Sequence, residues 1–256
     1  MMKYLLYVIC FLACLDIMAQ ETPLVSNVHN WISAPVVKSN FGTSINLFNG
    51  SGKILSKHSL NGITIKPGKK IIYKERGEGD ELFFIVKTGP IESQLNGVSK
   101  ILDKGSVVFV LPGDEIIFKN LRKEEVELYE MRMYASQPNR EQGISAGDSF
   151  MMDWYDMEYR PHDRGGVRQL FDRKTIMTNR FDIHITSLNP GISSHPPHTH
   201  TNEEIILMID GEGEMVLGDK RQRIITGDAA WVESMIPHNI TNKAKRPAVY
   251  FAIQWN

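Results

Sequence analysis

The sequence predicts an all-β protein built from two similar β-units, and three observations carry that expectation. Short runs rich in Val, Ile, Phe and Tyr recur along most of the chain, punctuated by Gly, Pro and Asn. The rhythm breaks between about residues 136 and 174 and returns from Asn179, which marks two halves. The halves also repeat a spacing. Gly89 and Gly105 in the first, like Gly211 and Gly227 in the second, stand about 16 residues apart and lead to Pro112 and Pro237.

Taken in order, residues 1–20 are not expected in the fold. Lys3 precedes a twelve-residue apolar run, residues 4–15, and small Ala19 stands where a signal peptidase would cut. The run is shorter than the roughly 20 apolar residues of a membrane span. A secretory signal peptide is the expectation, with a periplasmic or secreted mature chain that meets the membrane only through that peptide. Residues 11–14, ending in Cys14, make a poor lipoprotein box, so lipidation is the lesser alternative. Both cysteines, Cys10 and Cys14, fall in this segment. The mature chain would therefore use no disulfide, thiol nucleophile or thiolate ligand.

Residues 21–135 read as the first unit, with strands near 63–66, 70–73, 81–86, 106–111 and 114–118 and turns at Pro67-Gly68, Asn96-Gly97 and Pro112-Gly113. Residues 136–178, with an aromatic and Met-rich stretch at 150–159, read as a connection packed against both halves. Residues 179–256 read as the second unit, with strands near 181–186, 204–209, 214–217, 223–226, 230–233, 239–242 and 249–255. Gly218-Asp219-Lys220 is a hairpin turn within it. Charge is balanced, 29 Lys+Arg against 30 Asp+Glu, which offers nucleic acid no basic excess; a small molecule is the expected partner.

The chemistry gathers in the second unit, where five of the eight histidines fall between His184 and His238. On an extended chain His198 and His200 share a face, whereas on a helix they would diverge by roughly 200°. Pro196-Pro197 disfavours the helix. A turn at Thr201-Asn202 would let Glu204 open the next strand facing back, and His238 would arrive from a later strand. Three imidazoles and one carboxylate would then converge as a first-row transition-metal site with positions left open. Taken singly, each histidine is an ordinary surface or core residue; the whole pattern points to metal.

These segments resemble the paired motifs of the cupin superfamily. Gly191, His198, His200, Glu204 and Gly211 match the first motif. Gly227, Pro237, His238 and Asn242 match the second, without the Gly that usually follows the Pro. The resemblance is strong over residues 181–256. It implies a small β-barrel of the double-stranded β-helix (jelly-roll) type. It also implies one divalent transition metal (Mn, Fe, Ni, Zn or Cu) held by His198, His200, Glu204 and His238. The first half has no histidine between His58 and His162, and Leu82 falls at the place of Glu204. The expected whole is a bicupin, a metal-free barrel followed by a metal-binding one. His184, His195 and Asn242 are expected beside the pocket or behind the ligands. Glu203, of opposite parity to Glu204, should point away, and Trp231 should be core.

A metal so held polarises a carbonyl or carboxylate, or activates water. Similar cupins are isomerases, lyases, decarboxylases, hydrolases and dioxygenases. The expectation is a metal-dependent isomerase, lyase or hydrolase, before a dioxygenase, acting on a small oxygen-rich metabolite such as a sugar-derived acid. No separate catalytic acid or base can be named. The alternative is a bicupin that binds a small molecule or sugar without turnover. Family members often pair through their barrels, which allows a homodimer.

Overall fold

The structure, a computed structural model, describes residues 21–74 and 81–256; the signal-peptide reading of residues 1–20 lies outside them. It is all-β in two units, as expected. In the first, a seven-stranded antiparallel sheet runs in spatial order Phe150–Met152, Val107–Val110, Glu81–Val86, Val126–Tyr134, Lys57–Ile65, Gly42–Gly50, Val36–Lys38. It is backed by a four-stranded sheet, Lys70–Tyr73, Ile116–Lys119, Ile91–Leu95, Val98–Leu102. In the second, the seven strands are Asn27–His29, Ala229–Val232, Glu203–Asp210, Ala248–Trp255, Phe181–Leu188, Gly165–Arg173, Arg160–His162. Its three-stranded partner is Lys220–Ile225, Glu212–Leu217, His238–Asn242. Asn96-Gly97 and Gly218-Asp219 close two-residue hairpins with positive φ where such turns require it.

The two large sheets pack face to face. Parity decides which side chain goes where. On Glu203–Asp210, Ile205, Leu207 and Ile209 enter the core shared by both units, while Ile206 and Met208 face the interior of the second. On Glu81–Val86, Phe83 and Ile85 join the shared core and Leu82, Phe84 and Val86 the interior of the first. Each large sheet is therefore buried on both faces, and its central strands read as unbroken apolar runs.

The boundaries differ from the sequence reading in two respects. The strand Asn27–His29 pairs with Ala229–Val232 in the second unit, and Phe150–Met152 pairs with Val107–Val110 in the first. Each half thus begins with an arm that completes the other's sheet. Residues 136–178 are more than a connection, because Arg160–His162 and Gly165–Arg173 belong to the second sheet. These strands lie at its edge, are largely solvated, and shift register between Gln169 and Phe171, so no apolar alternation announces them.

Candidate metal centre

His198 lies in an extended segment and exchanges both backbone hydrogen bonds with His238, at 3.3 and 3.0 Å. Directly paired residues of an antiparallel bridge carry their side chains on one face, which sets the two rings 4.8 Å apart. His200, on the same parity as His198, stands 5.3 Å from its ring and 4.7 Å from that of His238. One nitrogen from each of the three rings falls within 4.8 Å of the others. The turn at Thr201-Asn202 then delivers Glu204, 3% exposed, on the next strand. Its Oε2 is 2.9 Å from His238 Nε2 and 3.5 Å from His200 Nε2.

The outer bonds of these side chains fix their tautomers. His200 Nδ1 is 3.0 Å from the Asn202 carbonyl and His238 Nδ1 is 2.8 Å from that of Ile236. A carbonyl only accepts, so each Nδ1 carries the proton and each neutral ring turns an Nε2 lone pair inward. There the lone pairs meet a carboxylate, which also only accepts. His200 Nε2 is buried with no hydrogen-bond partner. Acceptors crowded around one point require a positive charge between them, and three imidazoles with a carboxylate suit one divalent first-row ion. Without an ion that charge is a proton. Burial alone would raise the pKa of Glu204, but the His200 and His238 rings and Gln254 outweigh it and hold the carboxyl far below its usual range. Burial opposes charge on His238, yet Glu204 raises its pKa.

A relay of amides holds the carboxylate. Gln254 Nε2 donates to Glu204 Oε1 at 3.0 Å, Asn202 to Gln254 at 3.2 Å, and Asn256 to Asn202 at 2.8 Å. Above the cluster opens a cavity of about 410 Å³, lined by His198, Glu204 and His238 together with His184, His195, Asn239 and Tyr250. Its walls also include His162 and Arg164 from the edge hairpin. The Arg164 guanidinium donates to the carbonyls of Ser194 at 2.7 Å and Ser193 at 3.3 Å, which pins the loop leading to His195.

His184 and His195 line this cavity, and the His195 ring lies against that of His198, with ring centres 4.0 Å apart. Asn242 does not line it. Its amide donates to the carbonyls of Leu188 and Arg246 and its oxygen accepts from Ala244 N, so it braces the chain reversal before the last strand. Glu203 does point away, accepting from Ile54 N and Trp255 Nε1 at the joint between the units. Trp231 is fully buried in the shared core. Sequence reasoning missed Tyr250 and Gln254. Their signal was parity on Ala248–Trp255, where Phe251, Ile253 and Trp255 take the shared core and the alternate residues face the cavity.

Residues 184–254 match the family profile described as the cupin domain. A search of curated proteins finds no match. Solved structures share the fold over nearly the whole chain. AerE from Microcystis aeruginosa superposes with a TM-score of 0.65 at 14% identity, over 87% of this chain and 97% of that one. Oxalate decarboxylase from Lactobacillus farciminis, in a formate complex, gives 0.68 at 14%, over 93% and 88%. The oxalate decarboxylase of Bacillus subtilis, studied for its Mn(II) centres, gives 0.66 at 13%, over 93% and 79%.

Proposed function

With a cupin domain at residues 184–254 inside a bicupin fold, we propose that the protein is a metal-dependent enzyme acting on a small oxygen-bearing metabolite. The observation that carries this reading is the convergence of His200 Nε2, His238 Nε2 and the Glu204 carboxylate, all acceptors, beneath an open cavity. His198, His200, His238 and Glu204 would hold the ion. A bound ion of this kind supplies Lewis-acid polarisation of a carbonyl or carboxylate, or an activated water.

The rest belongs to the chain's own residues. Gln254 orients Glu204 so that its other oxygen faces the histidines. His184 and Tyr250 line the cavity and lie outside the ligand set, where an imidazole can pass a proton to or from a substrate and a hydroxyl can donate a hydrogen bond to it. Burial pushes the Tyr250 hydroxyl well above its usual range, which keeps it a donor. His198 is the most exposed of the three histidines and stands nearest solvent. Substrates of the sugar-acid kind are one option that the oxygen-seeking centre supports.

The test is the metal content of the purified chain beside His198→Ala and His238→Ala. About one transition-metal ion per chain is expected, with loss of most of it in either variant. Absence of metal in the wild type after reconstitution would sink the reading; metal with retention of ligand but no turnover would favour a binding protein. Export is part of the same proposal, supported by Lys3, the apolar run and Ala19. A mature N-terminus at Gln20 would check it.

A further inference from the structure

The two units share one strand plan, so equivalent positions follow from the registers. In the first unit Phe84 stands opposite Glu130 and Val108, and Phe118 opposite Ser93 and Ile71. The corresponding places in the second hold Ile206, opposite Ala252 and Ala230, and Ile240, opposite Met215. In the first unit the two phenyl rings meet at 4.8 Å, Tyr73 packs on Phe84 at 5.0 Å and its hydroxyl donates to the buried Glu130, so among the described residues rings take up this part of the interior. In the second, Ile206 and Ile240 instead line the cavity of about 410 Å³ that reaches His198, Glu204 and His238. Leu188, Met215 and Ala252 continue its apolar wall.

One interior is therefore plugged by rings, and its counterpart is open over a metal-competent cluster. We propose that the natural ligand joins oxygen donors for the metal to a ring-sized apolar body. That body takes up the space that Phe84 and Phe118 occupy in the sister unit. The inference rests on the proposed function and narrows it. A sugar acid hydroxylated along its length would find partners at Thr186, Asn239 and Tyr250, but its hydroxyls against Leu188, Ile206, Met215 and Ile240 would meet none. A flat or alicyclic apolar ring would lose nothing there and would gain from leaving water.

Acetohydroxamate and benzohydroxamate carry the same pair of oxygen donors and differ only in a methyl against a phenyl group. Titrated calorimetrically into the zinc-loaded full chain, benzohydroxamate should bind about tenfold tighter or more. Ile206→Phe and Ile240→Phe, made separately, should erase that preference while metal content stays near the wild-type value. Equal affinity of the two probes for the wild type would overturn the proposal, and so would a preference that survives both variants. Metal uptake with no binding of either probe would overturn it too, and with it the reading of open metal positions; equal binding would leave that reading standing. Thermal unfolding reports whether each variant folds, and the wild-type comparison stands without them.

Discussion

His58 is buried against Phe48, Trp231 and Trp255, and neither of its ring nitrogens has a hydrogen-bond partner. Burial pushes its pKa from 6.5 down to about 3. The unfolded chain takes up this proton as the pH falls below about 6.5, and the native chain does not until about 3. Stability from this residue is thus level above pH 6.5 and falls between there and pH 3, by up to roughly 1.4 kcal/mol per pH unit. Glu81 works in the opposite sense. Burial outweighs its bonds from Thr175 and Ile176 and raises its pKa from 4.5 to about 7. The native chain keeps that proton where the unfolded chain has lost it, so the contribution is full below pH 4.5 and is lost as the pH rises through 7. Urea unfolding of metal-free protein between pH 4.5 and 6.5 should therefore separate the two. His58→Phe should make stability rise less steeply with pH than in the wild type, and Glu81→Gln should make it rise more steeply. Matching slopes in all three proteins would contradict this account.

Between residue and sheet stand the exchanged arms. Trp154, just after the arm Phe150–Met152, lies over Gly105, where a Cβ would come within 2.4 Å of its ring. Trp31, just after the arm Asn27–His29, lies over Gly227, where a Cβ would come within 3.1 Å of the Trp31 Cβ and 3.5 Å of its ring. The repeated glycines are thus the seats of the two arms. Gly97 shares nearly the same φ as Gly105, +84° against +87°, but has open space around it. Comparing Gly105→Ala with Gly97→Ala therefore cancels the backbone term and leaves the collision. The first should be less stable by about 1–3 kcal/mol in chemical denaturation, and equal losses would mean the tryptophan yields. The sequence displayed these glycines as a spacing but not their purpose, because the residues they accommodate lie tens of positions away. The cluster beneath the cavity was legible for the opposite reason. His198, His200 and Glu204 are close in sequence, and a period of two puts the histidines on one face. Arg164 and His162 were hidden in an edge hairpin that shows no apolar alternation, and Gln254 could be placed only once its strand's inward parity was known. Asn242 matched a motif and yet serves the backbone, since spacing does not say which way a side chain hydrogen-bonds.

At the scale of the molecule, the shared core makes the units interdependent. Phe83, Phe109, Phe181, Trp231, Phe251 and Trp255, drawn from both halves, form one buried cluster. Glu81 accepts from Ile176 N at 2.6 Å across the joint, and Glu203 accepts from Ile54 N in the other direction. Calorimetry of the metal-free chain should show one transition, with calorimetric and van't Hoff enthalpies in agreement. Two resolved transitions would mean that the arms and clamps do not couple the halves. The crossed arms also impose an order in time. Ser26 is held by Glu233, and Asn27–His29 by Ala229–Val232, some two hundred positions further along. At about 5–20 residues per second, a ribosome needs roughly ten to forty seconds to deliver that docking edge. Throughout that interval Val28 and Trp31 must wait without their seat, so the first strand to be made is among the last to be placed.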